Sequence, residues 1–89
     1  MAVISTFYGL VISMFYNDNK QHKLPHFHAT YQDFEAVISI PDGELIIENL
    51  PKKKLKLVQI WVSKHKEELM ENWELSINGK NFYNIEPLK

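Results

Sequence analysis

Apolar residues recur at every second position through the first half of the chain. Tyr8, Leu10, Ile12, Met14 and Tyr16 share one face of a strand. The polar stretch Asn17-Asp18-Asn19-Lys20-Gln21-His22-Lys23 then breaks the pattern with turn-forming residues. Alternation resumes at Pro25, which is tolerated at a strand start because its missing N–H is not needed there. A third strand runs from Phe34 to Ile40, with Phe34, Ala36, Ile38 and Ile40 on one face. With Gln32-Asp33 as a two-residue hairpin turn, Tyr31 faces Phe34, Ala29 faces Ala36 and Phe27 faces Ile38, all apolar and all on one side. The other side then carries Thr30 opposite Glu35, His28 opposite Val37 and His26 opposite Ser39. Only this register, or one slipped by two, keeps the apolar set together. Pro41-Asp42-Gly43-Glu44 reads as a second turn, which sets Ile40 against Leu45 and Ile38 against Ile47. Rows of His28, Val37 and Glu48, and of His26, Ser39 and Ile46, follow on the outer face.

The period changes from two to 3.6 near Leu50. Pro51 suits the first position of a helix, where its lost donor costs nothing. Leu55, Val58, Val62, His65, Leu69 and Trp73 form one stripe, with Leu57, Trp61 and Leu75 beside it. Lys52, Lys53, Lys56 and Lys64 lie on the opposite arc. Asn78-Gly79 reads as the helix end with Gly79 as a left-handed cap, and a break near Ser63–His65 would give two helices. The tail from Phe82 to Leu88 is apolar enough to pack back onto the fold. The expectation is an α+β domain: an antiparallel meander sheet of about four strands, with a long C-terminal helix or two helices on one face.

The length of 89 residues predicts a single domain, 1–89. A chain this short buries little more than about 60% of its unfolded surface, so a partner subunit would help it. There is no cysteine, which excludes disulfides and thiolate metal sites. No apolar run is long enough to span a membrane, and the N-terminus does not read as a signal peptide; the cytoplasm is the expected compartment. The net charge of -1 conceals an asymmetry. Asp33, Glu35, Asp42, Glu44 and Glu48 fall in a stretch without lysine, whereas Lys52, Lys53, Lys54, Lys56, Lys64 and Lys66 follow in a stretch without acid. Every basic residue is lysine, so the bidentate guanidinium fork is missing.

Pro25-His26-Phe27-His28-Ala29-Thr30-Tyr31 carries the densest chemistry. Residues two apart on a strand point the same way, so His26 and His28 stand side by side, exposed or half-exposed, while Phe27 and Tyr31 turn into the core. Two imidazoles supply two ligands for a divalent metal, and Glu48, Glu35, His22 or a second subunit would have to supply a third. No other cofactor is expected. The same pair, oriented by Glu35 or Glu48, could act as general acid and base in metal-independent RNA cleavage, with Lys52 or Lys53 stabilising the phosphorane. The plain alternative is two surface histidines. Lys52, Lys53 and Lys54 crowd the positive end of a helix dipole, where cations are disfavoured. An anion, RNA, DNA or acidic partner bound at Lys52, Lys53 and Lys56 would explain that; so would a solvated, salt-screened face. Trp61 and Trp73 read as core, and His65 as a core-boundary residue with its nitrogens bonded. Ile60, Val37 and Ile46 on outward positions, with Leu57 and Trp61, suggest a homodimer or hetero-oligomer.

Ile4-Ser5-x-Phe7-Tyr8-Gly9, Met14-x-Tyr16-Asn17-Asp18, Pro25-His26-Phe27-His28-Ala29-x-Tyr31, Leu50-Pro51, Glu68-Leu69-x-Glu71-Asn72-Trp73 and Ile85-Glu86-Pro87-Leu88 together resemble the bacterial family called domain of unknown function 4160. The resemblance covers nearly the whole chain. It departs from the family pattern in a longer loop before Pro25 and in an all-lysine helix start where arginine is common. It implies a small cytoplasmic protein of unassigned activity, encoded beside another small protein in an arrangement similar to toxin–antitoxin modules. A partner protein, and RNA or DNA as a target, are what this implies. Two classes of function therefore stand open: a binding component of such a module, or a small enzyme using His26 and His28.

Overall fold

A computed structural model of the chain describes residues 2–14, 25–40, 45–47, 49–81 and 83–88. Five strands, β1 (Ala2–Phe7), β2 (Leu10–Met14), β3 (His26–Tyr31), β4 (Phe34–Ser39) and β5 (Leu45–Ile47), are followed by two helices, α1 (Lys52–Lys64) and α2 (Lys66–Ile77). The strands form one antiparallel meander in chain order. The α+β meander with two C-terminal helices is thus the fold, enlarged by one strand at its N-terminal edge.

That extra strand corrects the reading of Tyr8. The residue does not open β2; with Gly9 it makes the β1–β2 turn, at φ of 51° and 81° respectively. Tyr16 lies outside the described residues. In β1 the register shifts between Val3 and Ser5, leaving Ile4 as the extra residue of a β-bulge. The bulged Ile4 is fully buried, and its carbonyl accepts a hydrogen bond from Ile85 N–H at 2.8 Å, so the tail does pack back onto the sheet.

The β3–β4 hairpin has the expected register at every pair, from His26 opposite Ser39 to Tyr31 opposite Phe34. Gln32 takes the positive φ, 53°, that a tight hairpin turn requires. The β4–β5 register differs from expectation. Ile38 pairs with Leu45 and Val37 with Ile47, across an irregularity between Val37 and Ile38. Ile38 is therefore not opposite Ile47, and the two outer rows do not form as drawn. The turn at 41–44 and Glu48 lie outside the described residues, as does the side chain of Ile46.

Phe27, Ala29, Ala36 and Ile38 are all fully buried on one face, and α1 covers them through Trp61. The indole lies 5.9 Å from the Phe27 ring and 5.3 Å from Phe7, and its Nε1–H donates to the Glu86 carbonyl at 2.8 Å. Tyr31 is only half-buried and Phe34 is exposed, because both sit at the hairpin end of this face. The helix breaks at His65, whose backbone N–H bonds Val62 O and whose carbonyl starts α2 by accepting from Leu69 N–H. α2 closes in a Schellman motif: Lys80 N–H bonds Leu75 O at 2.8 Å and Gly79 N–H bonds Ser76 O at 3.3 Å. Gly79, at φ 68°, is the left-handed cap.

The second face of the sheet is not a solvent face. Val37, placed there as an exposed residue, is 3% exposed, and Ser13 and Ser39 are buried beside it. Ile60 alone of the proposed self-association residues is fully described and exposed; Trp61 is wholly buried and Leu57 half-buried.

Candidate functional site

The two histidines of β3 share a face, with ring centroids 5.6 Å apart, but they do not share an environment. His26 is 1% exposed. Its ring lies 4.8 Å from that of Trp73 on α2, in a tilted aromatic contact. The expectation that both imidazoles reach solvent is therefore wrong for His26. Strand parity assigns a side chain to a face and is silent on what packs against it; here Trp73 packs against His26. The His28 side chain keeps 13% of its surface. Its Nδ1 is 3.4 Å from Glu35 Oε1, a diagonal contact across the β3–β4 hairpin. The structure thus brings together His26, His28 and Glu35. Glu48, the other proposed carboxylate, and His22, a proposed third ligand, lie outside the described residues. Among the described residues no group of three or more His, Asp or Glu side chains is placed to hold a metal ion.

The start of α1 meets the opposite end of β3 through Lys54, which stands over the Tyr31 ring. Lys52, Lys53 and Lys56 are exposed. α1 begins at Lys52, with Pro51 as the N-cap and not the first helical residue; there is no side-chain cap and no acid in the first turn to offset the helix dipole facing these cations. Lys54, which the sequence reading placed in the crowded helix start but not among the binding residues, is engaged twice. Its Nζ donates to Tyr8 O at 2.8 Å and stands 4.6 Å from the centre of the Tyr31 ring. Lys54 thereby pins the first turn of α1 to the β1–β2 turn and the end of β3. Gly9 completes the packing: a Cβ there would come within 3.0 Å of Tyr31 Cε1. Tyr8 and Phe34 stand out from this end at 54% and 40% exposure. Sequence reasoning missed them because it assigned Tyr8 and Phe34 to an alternating core face. The signal available was Gly9, a turn former directly after Tyr8.

A third cluster lies on α2. His65 Nδ1 is 2.8 Å from Glu68 Oε1, and its ring packs 5.5 Å from Trp61, which matches the expected boundary role with Nδ1 bonded. Asn72, fully buried, clamps the tail: its Nδ2 donates to Tyr83 O at 2.9 Å and its Oδ1 accepts from Tyr83 N–H at 3.1 Å. The Tyr83 hydroxyl donates to Glu71 Oε2 at 2.9 Å. Partial burial, that hydrogen bond and the charges of Glu71 and Glu68 push its pKa up to about 12. An open depression lined by Lys66, Glu67, Met70, Glu71 and Glu74 gives the outer side of α2 an acidic character, against the basic start of α1.

These features define a small α+β domain in which a five-stranded meander presents a buried histidine end and an open lysine–aromatic end. The chain belongs to the family Domain of unknown function (DUF4160), whose model matches residues 9–74, from the β1–β2 turn into α2. Comparison with curated proteins and with solved structures gave no match. Among the described residues no helix is long and apolar enough to cross a membrane.

Proposed function

We propose that this chain is the binding component of a two-protein, toxin–antitoxin-like module, acting through a recognition surface and not through chemistry at the His-Phe-His strand. The burial of His26 carries this reading. General acid–base cleavage of RNA needs two groups within reach of substrate, and an imidazole 1% exposed beneath Trp73 has no such access. The exposed Lys52, Lys53 and Lys56, the exposed Ile60 on the same helix and the small size of the chain all favour a protein that engages a partner.

One observation favours the enzyme reading: Glu35 stands 3.4 Å from His28 Nδ1, in position to orient that ring as a lone general base. Induced expression separates the two. Growth is followed for the wild type, for His28→Ala and for Lys52→Glu/Lys53→Glu, with folding checked by circular dichroism. A binding component keeps its effect in His28→Ala and loses it in the lysine variant. Loss of the effect in a folded His28→Ala protein would establish the catalytic reading instead.

A further inference from the structure

We propose that the end of the sheet formed by the Tyr8-Gly9 turn, the Tyr31–Phe34 hairpin and the first turn of α1 binds single-stranded RNA. The surface combines the two elements that such binding requires: aromatic faces for bases to stack on and fixed cations for the phosphates between them. Among the described residues, Tyr8 and Phe34 are the most exposed rings at this end. Tyr8 is held out by its own backbone, since φ of 51° places it at the corner of a tight turn. Phe34 pairs with Tyr31 across the hairpin, so both rings rise on the face where Lys54 stands. The neighbouring Glu35 points to the opposite face, toward His28.

Lys54 sets the geometry. Its bond to Tyr8 O and its place over the Tyr31 ring lock the start of α1 against the aromatics. Lys52 and Lys53 precede it in the same helical turn and are exposed. The recognition rests on side chains: three successive lysines at a helix start where the dipole disfavours each of them, one of them fixed against the aromatic end of the sheet. The absence of arginine removes the bidentate base reader, so phosphate contact and stacking without strong sequence preference are the mode expected. The inference stands apart from the partner-protein reading above: it predicts direct binding by the isolated chain.

The test is fluorescence anisotropy with a labelled single-stranded oligoribonucleotide of about 12 residues. The competitors are its duplex and a polyglutamate peptide. Tyr8→Asn removes one ring while retaining a residue that tolerates positive φ. Phe34→Ser removes the other, and Lys52→Glu/Lys53→Glu reverses the charge. Each ring variant should weaken binding roughly tenfold. The lysine variant should weaken it further and flatten the fall in affinity between roughly 50 and 200 mM salt. Unchanged melting of each variant by circular dichroism keeps the reading specific to the surface. Four results overturn the proposal: no binding by the wild type, equal binding by the folded ring variants, preference for the duplex, or displacement by polyglutamate as effective as by RNA. The last would make the surface a dock for an acidic protein.

Discussion

β3 runs between two ends that differ in kind. At its start, His26 is packed under Trp73, and His28 touches Glu35 two residues on. At its finish, Tyr31 lies under a lysine, and the adjacent turns leave Tyr8 and Phe34 open to solvent. The first end carries the residue type most often associated with catalysis, yet it is the one closed off. The second is made of tyrosine, phenylalanine and lysine, and it is the one available to another molecule. Chemical suggestiveness and accessibility are separate properties. A strand only eighteen or so ångströms long, by its rise of about 3.3 Å per residue, is enough to separate them. Stability should reside at the histidine end and recognition at the tyrosine end.

The sharpest way to break this contrast is to remove the cover from the closed end. Trp73→Ala deletes a nearly buried ring in contact with His26 and should cost about 3–5 kcal/mol in urea unfolding. A loss below about 1 kcal/mol would mean that this end is no more structural than a surface site. Asn72→Ala, one residue away, leaves the Tyr83 N–H and carbonyl without their partners. A cost of about 1–3 kcal/mol is expected, with the tail becoming readily cleaved by a carboxypeptidase.

The sequence made the β3–β4 hairpin legible pair by pair because one face is uniformly apolar and a two-residue turn permits no drift. It did not make β1 legible. The bulge at Ile4 puts Ile4 and Phe7, three residues apart, both into the core, and a search for period two passes over such a segment. The same kind of irregularity, between Val37 and Ile38, defeated the β4–β5 register. For the site, parity placed His26, His28 and Glu35 on one face, which the structure shares. The cover over His26 depends on where Trp73 comes to rest after the break at His65, a tertiary event with no local signature. Lys54 differs from Lys52, Lys53 and Lys56 only in what the folded chain sets against it.

At the open end, two substitutions sharpen the contrast. Gly9→Ala forces an L-residue to φ 81° and presses a methyl to within 3.0 Å of Tyr31. It should cost about 1–2 kcal/mol and disturb the Lys54–Tyr31 contact, seen as a change in tyrosine fluorescence. Tyr8→Asn next to it should change stability by no more than about 0.5 kcal/mol, since the ring is exposed. If Tyr8→Asn proved as costly as Gly9→Ala, the exposed ring would be a structural element and the open end would lose its claim to recognition.

The smallest effect separates the tail from both ends. The Tyr83 hydroxyl ionises near pH 12 in the fold, against an ordinary value near 10. Below about pH 10 the phenol is protonated whether the chain is folded or not, and its bond to Glu71 contributes in full. As the pH rises from about 10 toward 12, the unfolded chain gives up this proton first. The folded state then binds more protons than the unfolded one, and stability falls with pH. Tyr83→Phe has no proton to lose. The gap in unfolding free energy between wild type and Tyr83→Phe should therefore narrow across that window and be constant below it. A gap that stays constant through pH 12 would show that Glu71 and Glu68 do not hold the hydroxyl, leaving Asn72 as the side chain that fixes the tail.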